Sequence, residues 1–223
     1  ENPSGALTDC IARNYADYPS SSSFGGKNYN AYTEDIYVGY RYFESFAKDK
    51  VLYPFGYGLS YTTFETQSET KQADDNVTVN VRVTNTGSLR GKHIVQVYLG
   101  LPCGKLGNPV KALAGFAKTR TLEPGESQTV TIEIDLREFA SYDDSGISGH
   151  KSCFILEEGD YHIEVGSNVR DTKRVLTVRK ETLEIIRQVR EVAAVKPGCG
   201  FNRLVNRNGK PHYEAVPTVQ KDL

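Results

Sequence analysis

Apolar and polar residues alternate with a period of two along the middle of the chain. The clearest stretch runs from Val77 to Val83, where a valine stands at every second position and polar residues lie between. Successive side chains of a β-strand point to opposite faces, so this stretch places a valine stripe on one face. The same alternation returns at 95–99, 130–136 and 161–165. The pattern predicts a series of half-buried strands.

Turn-forming residues separate these strands, and shorter apolar stretches add to their number. Turn chemistry is found at Asn85-Thr86-Gly87, Glu123-Pro124-Gly125-Glu126 and Glu158-Gly159-Asp160. The shorter apolar stretches lie at 113–116, 154–156 and 175–178. About seven short strands, with a turn roughly every eight to twelve residues, are typical of an antiparallel β-sandwich. We therefore predict a mainly β chain whose central domain, 65–180, is a fibronectin-III or immunoglobulin-like sandwich.

The first 64 residues lack this periodicity and are rich in aromatic residues and glycine. Residues 20–26 are serines followed by Phe-Gly-Gly, which indicates a loop. We call residues 32–61 the aromatic–glycine segment, because glycines there stand between large rings and predict tight bends rather than regular helix. The rings expected to pack against a further domain, and to form an exposed apolar patch in this chain alone, are Tyr37, Tyr40, Tyr42, Phe55 and Tyr57.

The last part of the chain is harder to assign from its pattern. Apolar residues between 183 and 193 lie near helical spacing, but their β-branched content also permits a strand. Lys196-Pro197-Gly198 ends that element. The polar tail from Phe201 to Leu223 contains Asn208-Gly209 and two prolines, which predicts an extended linker. We divide the chain into 1–64, an irregular end-piece, 65–180, the sandwich, and 181–223, a linker to a further domain.

Composition and charge exclude several classes of protein. With 223 residues, 38% hydrophobic and 25% charged, the chain can bury a core of ordinary size. The net charge is −1 and no basic stripe is present, which argues against a nucleic-acid partner. Apolar runs fall far short of the about 20 residues that span a membrane. The chain contains no methionine and starts without signal-peptide features, so we expect an internal piece of a longer polypeptide.

The four cysteines show neither a redox nor a zinc-binding spacing. Cys10, Cys103, Cys153 and Cys199 lie far apart, without a C-x-x-C pair. The sequence leaves a disulfide between Cys103 and Cys153 as an alternative, but a core of this size needs no disulfide for stability. We expect free thiols in a reducing compartment, hence the bacterial cytoplasm rather than secretion.

Motifs for nucleophilic, phosphate or metal chemistry are weak. The histidines are far apart and no serine or cysteine lies in a G-x-S-x-G context, so a hydrolase triad is unsupported. Residues 143–146, Asp-Asp-Ser-Gly, resemble a calcium loop but lack its ligand spacing, which favours a solvated turn. We predict neither a metal nor a cofactor.

One acidic pair lies where a sugar could bind. Glu34 and Asp35 stand among aromatic residues, on which pyranose rings stack. Neighbours on an extended chain point in opposite directions, so both carboxylates cannot face one glycosidic bond. One of them could contact substrate, or hold Arg41 by a charge-assisted hydrogen bond, and a structural role is favoured. Glu34, Asp35 and Arg41 are the substrate-proximal candidates.

Three stretches together resemble the second half of family 3 glycoside hydrolases, the β-glucosidase family. They are Asn2-Pro3-Ser4-Gly5 with Tyr18-Pro19; the segment from Tyr32 through Gly39-Tyr40-Arg41-Tyr42-Phe43 to Pro54-Phe55-Gly56-Tyr57-Gly58-Leu59-Ser60-Tyr61-Thr62; and the sandwich with its turns at 85–87, 122–126 and 158–161. The resemblance covers about residues 1–180 and implies the end of the family's α/β sandwich domain followed by its fibronectin-III-like domain.

The resemblance also implies what the chain lacks. Such enzymes cleave β-glycosidic bonds with retention, using a nucleophilic Asp from a (β/α)8 barrel and an acid/base from the α/β sandwich domain. Neither stretch is found in this sequence, so no catalytic residue is assigned and the chain alone is expected to be inactive. The resemblance implies a non-catalytic portion that stabilises the catalytic domains and borders the cleft. Its partners would be those domains, in the same chain or another polypeptide, and the carbohydrate substrate.

Two further hypotheses concern the tail and the rival function. Residues 201–204 and 214–218 resemble the linker of permuted members, in which the barrel follows this domain. The alternative function is a free-standing fibronectin-III-like module for carbohydrate binding or adhesion. The aromatic–glycine segment discriminates between the two, because a self-contained module does not need it.

Overall fold

A computed structural model of the chain describes residues 2–218. Its regular elements, in chain order, are β1 (Ile11–Ala12), α1 (Tyr40–Phe46), β2 (Val51–Tyr53), β3 (Phe64–Ala73), β4 (Asn76–Asn85), β5 (Ile94–Gly100), β6 (Lys111–Lys118), β7 (Ser127–Asp135), β8 (Ser141–Asp143), β9 (Cys153–Leu156), β10 (Gly159–Gly166), β11 (Thr172–Lys180), β12 (Glu184–Gln188), β13 (Asn202–Arg207) and β14 (Lys210–Ala215), with short 3₁₀ turns between some of them. No helix within residues 2–218 is long and apolar enough to cross a membrane.

Two antiparallel sheets form the sandwich and confirm the predicted fold class. One sheet has the strand order β3-β4-β7, and the other has the order β11-β10-β5-β6. Alternate side chains of β4, from Val77 to Val83, are buried and pack against apolar residues of β5, β7 and β10. The valine stripe therefore faces the opposite sheet, and burial of its apolar surface is the main force that joins the two sheets.

Strand β3 was not predicted from the alternation. It pairs with β4 along its whole length, from Phe64 with Asn85 to Ala73 with Asn76. It lies at the edge of its sheet, and most of its side chains are exposed. A polar edge strand gains its order from backbone hydrogen bonds to β4 rather than from a buried face, so its sequence carries no apolar period.

A small third sheet decides between helix and strand after residue 180. Residues Glu184–Gln188 form β12, which pairs antiparallel with β9, and β8 pairs with the other edge of β9. The β-branched pair Ile185 and Ile186 thus has the conformation that its side chains favour.

The tail differs from the extended linker that the sequence predicted. Strands β13 and β14 form a hairpin, residues 202–215, closed by the pairing of Arg207 with Lys210. The connecting residues Asn208 and Gly209 both have positive φ, 55° and 78°, as a type I′ turn requires. Asn-Gly is the strongest short-range hairpin signal, and here it outweighs the polar composition. Residues 219–223, the end of the predicted linker, lie outside the described residues.

The N-terminal region packs on the sandwich. Strands β1 and β2 pair antiparallel, and Phe43 of α1 is buried with Cys10 and Val51 in a small apolar cluster. The side chain of Gln96 on β5 donates hydrogen bonds to the carbonyl oxygens of Gly56 (3.1 Å) and Ser167 (2.7 Å). A buried amide that binds two loops in this way fixes the N-terminal region to the sandwich.

Candidate functional site

The acidic pair singled out in the sequence leads to a cluster of charged side chains from three distant segments. Arg203 Nη1 donates to Asp35 Oδ2 at 3.1 Å, although 168 residues separate the two. The same guanidinium donates to both carboxylate oxygens of Asp144, at 2.5 and 2.8 Å. The side chains of Arg203, Asp35 and Asp144 are only 21%, 30% and 25% exposed. Their partial burial makes these charge-assisted hydrogen bonds stronger than surface pairs.

Arg203 was missed by the sequence reasoning, which suggested Arg41 as a partner of the acidic pair. In the structure Arg41 is exposed, and its backbone carbonyl accepts a hydrogen bond from the Ser45 hydroxyl at 2.6 Å. Asp35 instead pairs with Arg203. No local pattern could have indicated this, because β13 reaches Asp35 only through the folding of the tail.

Glu34 and Asp35 lie in consecutive turns rather than on an extended chain. Asp35 N–H donates to Tyr32 O (3.2 Å), and Tyr37 N–H donates to Glu34 O (2.9 Å). Asp35 has a φ of 49°, in the left-handed region that Asp tolerates better than most residues. Glu34 Oε2 is buried and has no hydrogen-bond partner among the described residues; the same holds for Arg203 Nε.

Two cavities lie on either side of this cluster. They have volumes of about 490 and 570 Å³, and Asp35, Asp144, Arg203 and Tyr142 line both. Arg41 and Lys105 also line the first cavity, while the rings of Tyr32, Phe154 and Phe201 line the second. Carboxylates, a guanidinium and aromatic rings together can bind a polyhydroxylated ring by hydrogen bonds and stacking.

The structure corrects the expectation of a solvated turn at 143–146, because Asp143 is buried. Its side chain is fully buried, and its two oxygens accept hydrogen bonds from the backbone N–H groups of residues 145–148 and from the hydroxyls of Ser145 and Ser148. Burial opposes its ionisation, but the bonds from Ser148, Gly146 and Ser145 outweigh burial and hold the pKa of Asp143 below its ordinary value. This carboxylate orders the loop that presents Asp144. Within residues 2–218 no group of three or more His, Cys, Asp or Glu side chains is arranged to hold a metal ion.

A second buried carboxylate, Glu157, was also missed by the sequence reasoning. It accepts hydrogen bonds from Lys105 N–H (2.6 Å) and Asn108 Nδ2 (3.4 Å), and so orders the loop after β5. Burial raises the pKa of Glu157, although the backbone N–H groups of Lys105 and Leu106 oppose the shift. Its sequence context, the turn 158–160, indicated only a bend.

The five aromatic rings expected in an exposed patch mostly contact this chain itself. Tyr37 is buried and donates its hydroxyl hydrogen to Gly107 O, and burial raises its pKa. Tyr40 accepts a hydrogen bond from Leu113 N–H of β6 (2.8 Å), and its ring centroid lies 4.5 Å from that of Phe55. The remaining two rings, Tyr42 and Tyr57, are half-buried beside Phe43 and Tyr53. Their packing against a further domain stays a prediction.

Other apolar side chains of the N-terminal region are exposed. Among the large apolar side chains that are at least 65% exposed are Tyr15, Phe24, Tyr29, Tyr32, Leu59 and Tyr61. The two-stranded sheet β1–β2 also exposes about half of Ile11, Leu52 and Tyr53. A two-stranded sheet is marginally stable by itself, and clustered exposed apolar residues are typical of an interaction surface.

The cysteines differ in their burial. All four are free thiols, and Cys10 and Cys153 are buried. Burial, with the nearby Asp9 carboxylate, raises the pKa of Cys10 to about 12, so this thiol stays protonated near neutral pH.

Comparison with known proteins finds one matching domain family and several larger proteins of similar sequence. A family model described as a fibronectin type III-like domain matches residues 93–169. A β-glucosidase of Ruminococcus albus is 44% identical over 221 residues, 99% of this chain and 23% of that protein. β-Glucosidase A of Butyrivibrio fibrisolvens is 49% identical over 191 residues, 77% of this chain and 23% of that protein.

A solved structure extends the likeness to the fold. The crystal structure of a β-glucosidase from Paenibacillus barengoltzii matches 98% of this chain with a TM-score of 0.90 and 45% identity, and the match covers 25% of that chain. The present chain therefore spans about a quarter of the length of the relatives it matches.

Proposed function

Because this chain is homologous over almost its whole length to β-glucosidases of glycoside hydrolase family 3, we propose that it forms a non-catalytic portion of such an enzyme. The observation that carries the proposal is the contrast between its two parts. The sandwich has a closed core, whereas the N-terminal region exposes rings and the two-stranded sheet β1–β2. A surface of that kind suits the remaining domains of a larger enzyme as partner.

The activity belongs to the whole enzyme in this proposal. A retaining glycosidase needs a nucleophilic carboxylate and an acid/base about 5 Å apart on either side of the bond. We assign neither role to a residue of this chain. Its part is to support the domains that carry those groups.

The charged cluster is the part of this chain that we place nearest to substrate. Asp35 and Arg41 line the first cavity, and Asp35 also lines the second, where Tyr32 and Tyr142 supply rings. Glu34 is adjacent and has an unpartnered buried oxygen among the described residues. The substrate class is β-linked glucosides or oligosaccharides, whose hydroxyl groups these side chains can bind.

An activity assay tests the proposal. The longest natural polypeptide that contains this sequence should hydrolyse an aryl β-glucoside, while this chain alone should not. Inactivity of the longer polypeptide toward aryl β-glycosides would refute the enzymatic role. Saturable binding of a glucan by this chain alone, with no partner polypeptide, would instead support the free-standing binding module.

Domain order and location complete the proposal. We place the barrel after this portion, as in permuted members, because residues 201–204 and 214–218 resemble the linker of those members. The parent coding sequence tests this order, and a barrel encoded only before residue 1 rejects it. The free thiols favour a cytoplasmic location, which fractionation of the source cells checks.

A further inference from the structure

The tail hairpin, residues 202–215, lies on the aromatic–glycine segment rather than leaving the molecule. Leu204 N–H donates to Thr33 O at 2.6 Å, and Leu204 and Asn206 are buried. The hairpin also contacts the loop after β5, since Asn206 Nδ2 donates to Asn108 O at 3.4 Å. A strand whose backbone and side chains bind two other segments is an integral part of the packing.

Arg203 makes the ion pairs of this contact, with Asp35 and Asp144. Its bidentate ion pair with Asp144 fixes the plane of the guanidinium, because Nη1 and Nη2 each donate to one carboxylate oxygen. Asp144 is itself held by the loop that buried Asp143 orders. The guanidinium therefore has a fixed position from which Nη1 reaches Asp35.

Asp35 has few other constraints. Its φ of 49° is unfavourable for a residue with a side chain, and Arg203 is the charged partner that its carboxylate has among the described residues. Two residues later, Tyr37 is fixed independently by its buried ring and its bond to Gly107 O. Loss of Arg203 would therefore free Asp35 while Tyr37 stayed in place.

We propose that Arg203 is a positioning residue, which holds the Asp35 carboxylate at the wall of the two cavities so that it can accept a hydrogen bond from a sugar hydroxyl. The inference rests on the proposed function for its substrate. In this proposal the tail hairpin packs against the aromatic–glycine segment and fixes the part of it that contains Asp35. The group that binds sugar is Asp35, and Arg203 acts through it.

Hydrogen–deuterium exchange on this chain tests the positioning without any assay of activity. In Arg203→Ala, exchange of the amides of residues 33–35 should rise about tenfold or more, because local opening there becomes easier. Arg203→Lys keeps the charge but loses the bidentate geometry, so its rise in exchange should be intermediate. The matched control is Arg207→Ala in the same hairpin, whose side chain pairs with Glu214 of the hairpin and with Lys105 O. That control should leave residues 33–35 unchanged.

Kinetics of the full parent enzyme test the link to substrate. Arg203→Ala should raise KM for an aryl β-glucoside about tenfold and leave kcat within about twofold, because the lost contact binds ground state and transition state alike. Asp35→Asn should have the same effect, and the double variant should lose little more. Arg203→Lys should restore part of KM.

The outcomes separate the two proposals. Unchanged exchange at 33–35 in Arg203→Ala, or an equal rise in Arg207→Ala, overturns the positioning role whatever the enzyme does. A KM in Arg203→Ala equal to that of the wild type overturns it as well. A parent without β-glucosidase activity overturns the proposed function, and the exchange result then decides the positioning of Asp35 by itself.

Discussion

Two buried carboxylates each order a loop of this molecule. Asp143 and Glu157 each accept backbone N–H groups of a neighbouring loop, and these bonds replace the water that a carboxylate loses on burial. The two differ in the balance of the same forces. Hydrogen bonds outweigh burial at Asp143 and lower its pKa, whereas burial prevails at Glu157 and raises its pKa.

Replacing Asp143 with Asn should destabilise the chain in a pH-dependent way. The amide loses the charge and presents an N–H₂ group to donors, so we expect a loss of about 2 to 3 kcal/mol in the free energy of unfolding at pH 7. The folded-state pKa is lowered, so the stabilisation is fully present above the ordinary Asp value of about 4 and is lost as pH falls through the folded pKa. Urea titrations at pH 7 and pH 3 measure the difference.

Asp160→Asn is the control for this pH dependence. Asp160 is a half-exposed partner of Arg179, and removal of such a surface pair costs about 0 to 1 kcal/mol. If Asp143→Asn lost the same stability at both pH values, the charge of Asp143 would not be what orders the loop.

At the scale of elements, the docking of the tail hairpin depends on a glycine outside it. Gly107 has a φ of 71°, and a Cβ there would overlap the backbone carbonyl of Asn206. The residue therefore meets two demands, a left-handed backbone and the close approach of β13.

Gly107→Ala should lower the free energy of unfolding by more than backbone strain alone, because the added Cβ also pushes against the tail hairpin. The matched control is Gly125→Ala, where φ is 80° but nothing lies within 4 Å of the added Cβ. Strain alone should cost about 1 to 2 kcal/mol in the control, and Gly107→Ala should exceed the control by about 1 kcal/mol or more. Chemical denaturation measures both, and hydrogen exchange should rise at Leu204 only in Gly107→Ala. Equal losses of stability in Gly107→Ala and Gly125→Ala would show that the hairpin shifts away from the added Cβ without cost.

At the scale of the whole molecule, a few buried side chains join the N-terminal region to the sandwich. Gln96 binds Gly56 O and Ser167 O, and its Oε1 accepts the Tyr98 hydroxyl at 2.5 Å. Glu44 of α1 is buried and accepts a hydrogen bond from Arg170 Nε at 2.8 Å. These contacts couple a region with little core of its own to one with a large core.

Gln96→Ala should uncouple the two regions. The change leaves buried carbonyl oxygens without their donor, which costs about 2 to 3 kcal/mol. In this variant, native-state hydrogen exchange should show a lower free energy of opening for residues 40–57 than for β4. In the wild type the two free energies of opening should be equal. Gln128→Ala is the control, because its side chain makes an exposed bond to Arg120 N–H. Earlier opening in the control as well would argue against a specific joint at Gln96.

The sandwich could be predicted from the sequence because its determinants are local. The valine alternation of β4 and the turn residues at 123–126 act on neighbours in the chain, so periodicity alone indicates which face is buried. Asn208-Gly209 carried an equally local signal for the tail hairpin, which the polar composition obscured. The aromatic–glycine motifs indicated the relatives, since a run of specific residues needs no tertiary information to be recognised.

Tertiary structure alone decided the rest. Strand β3 is ordered by its partner β4 and not by its own pattern. Arg203 and Asp35 meet across 168 residues, and Glu157 meets Lys105 across 52 residues, so their pairing depends on how distant segments approach each other. Candidate charges could be named from composition, but a charge becomes part of a site only when folding removes water from it and brings its partner within hydrogen-bond distance.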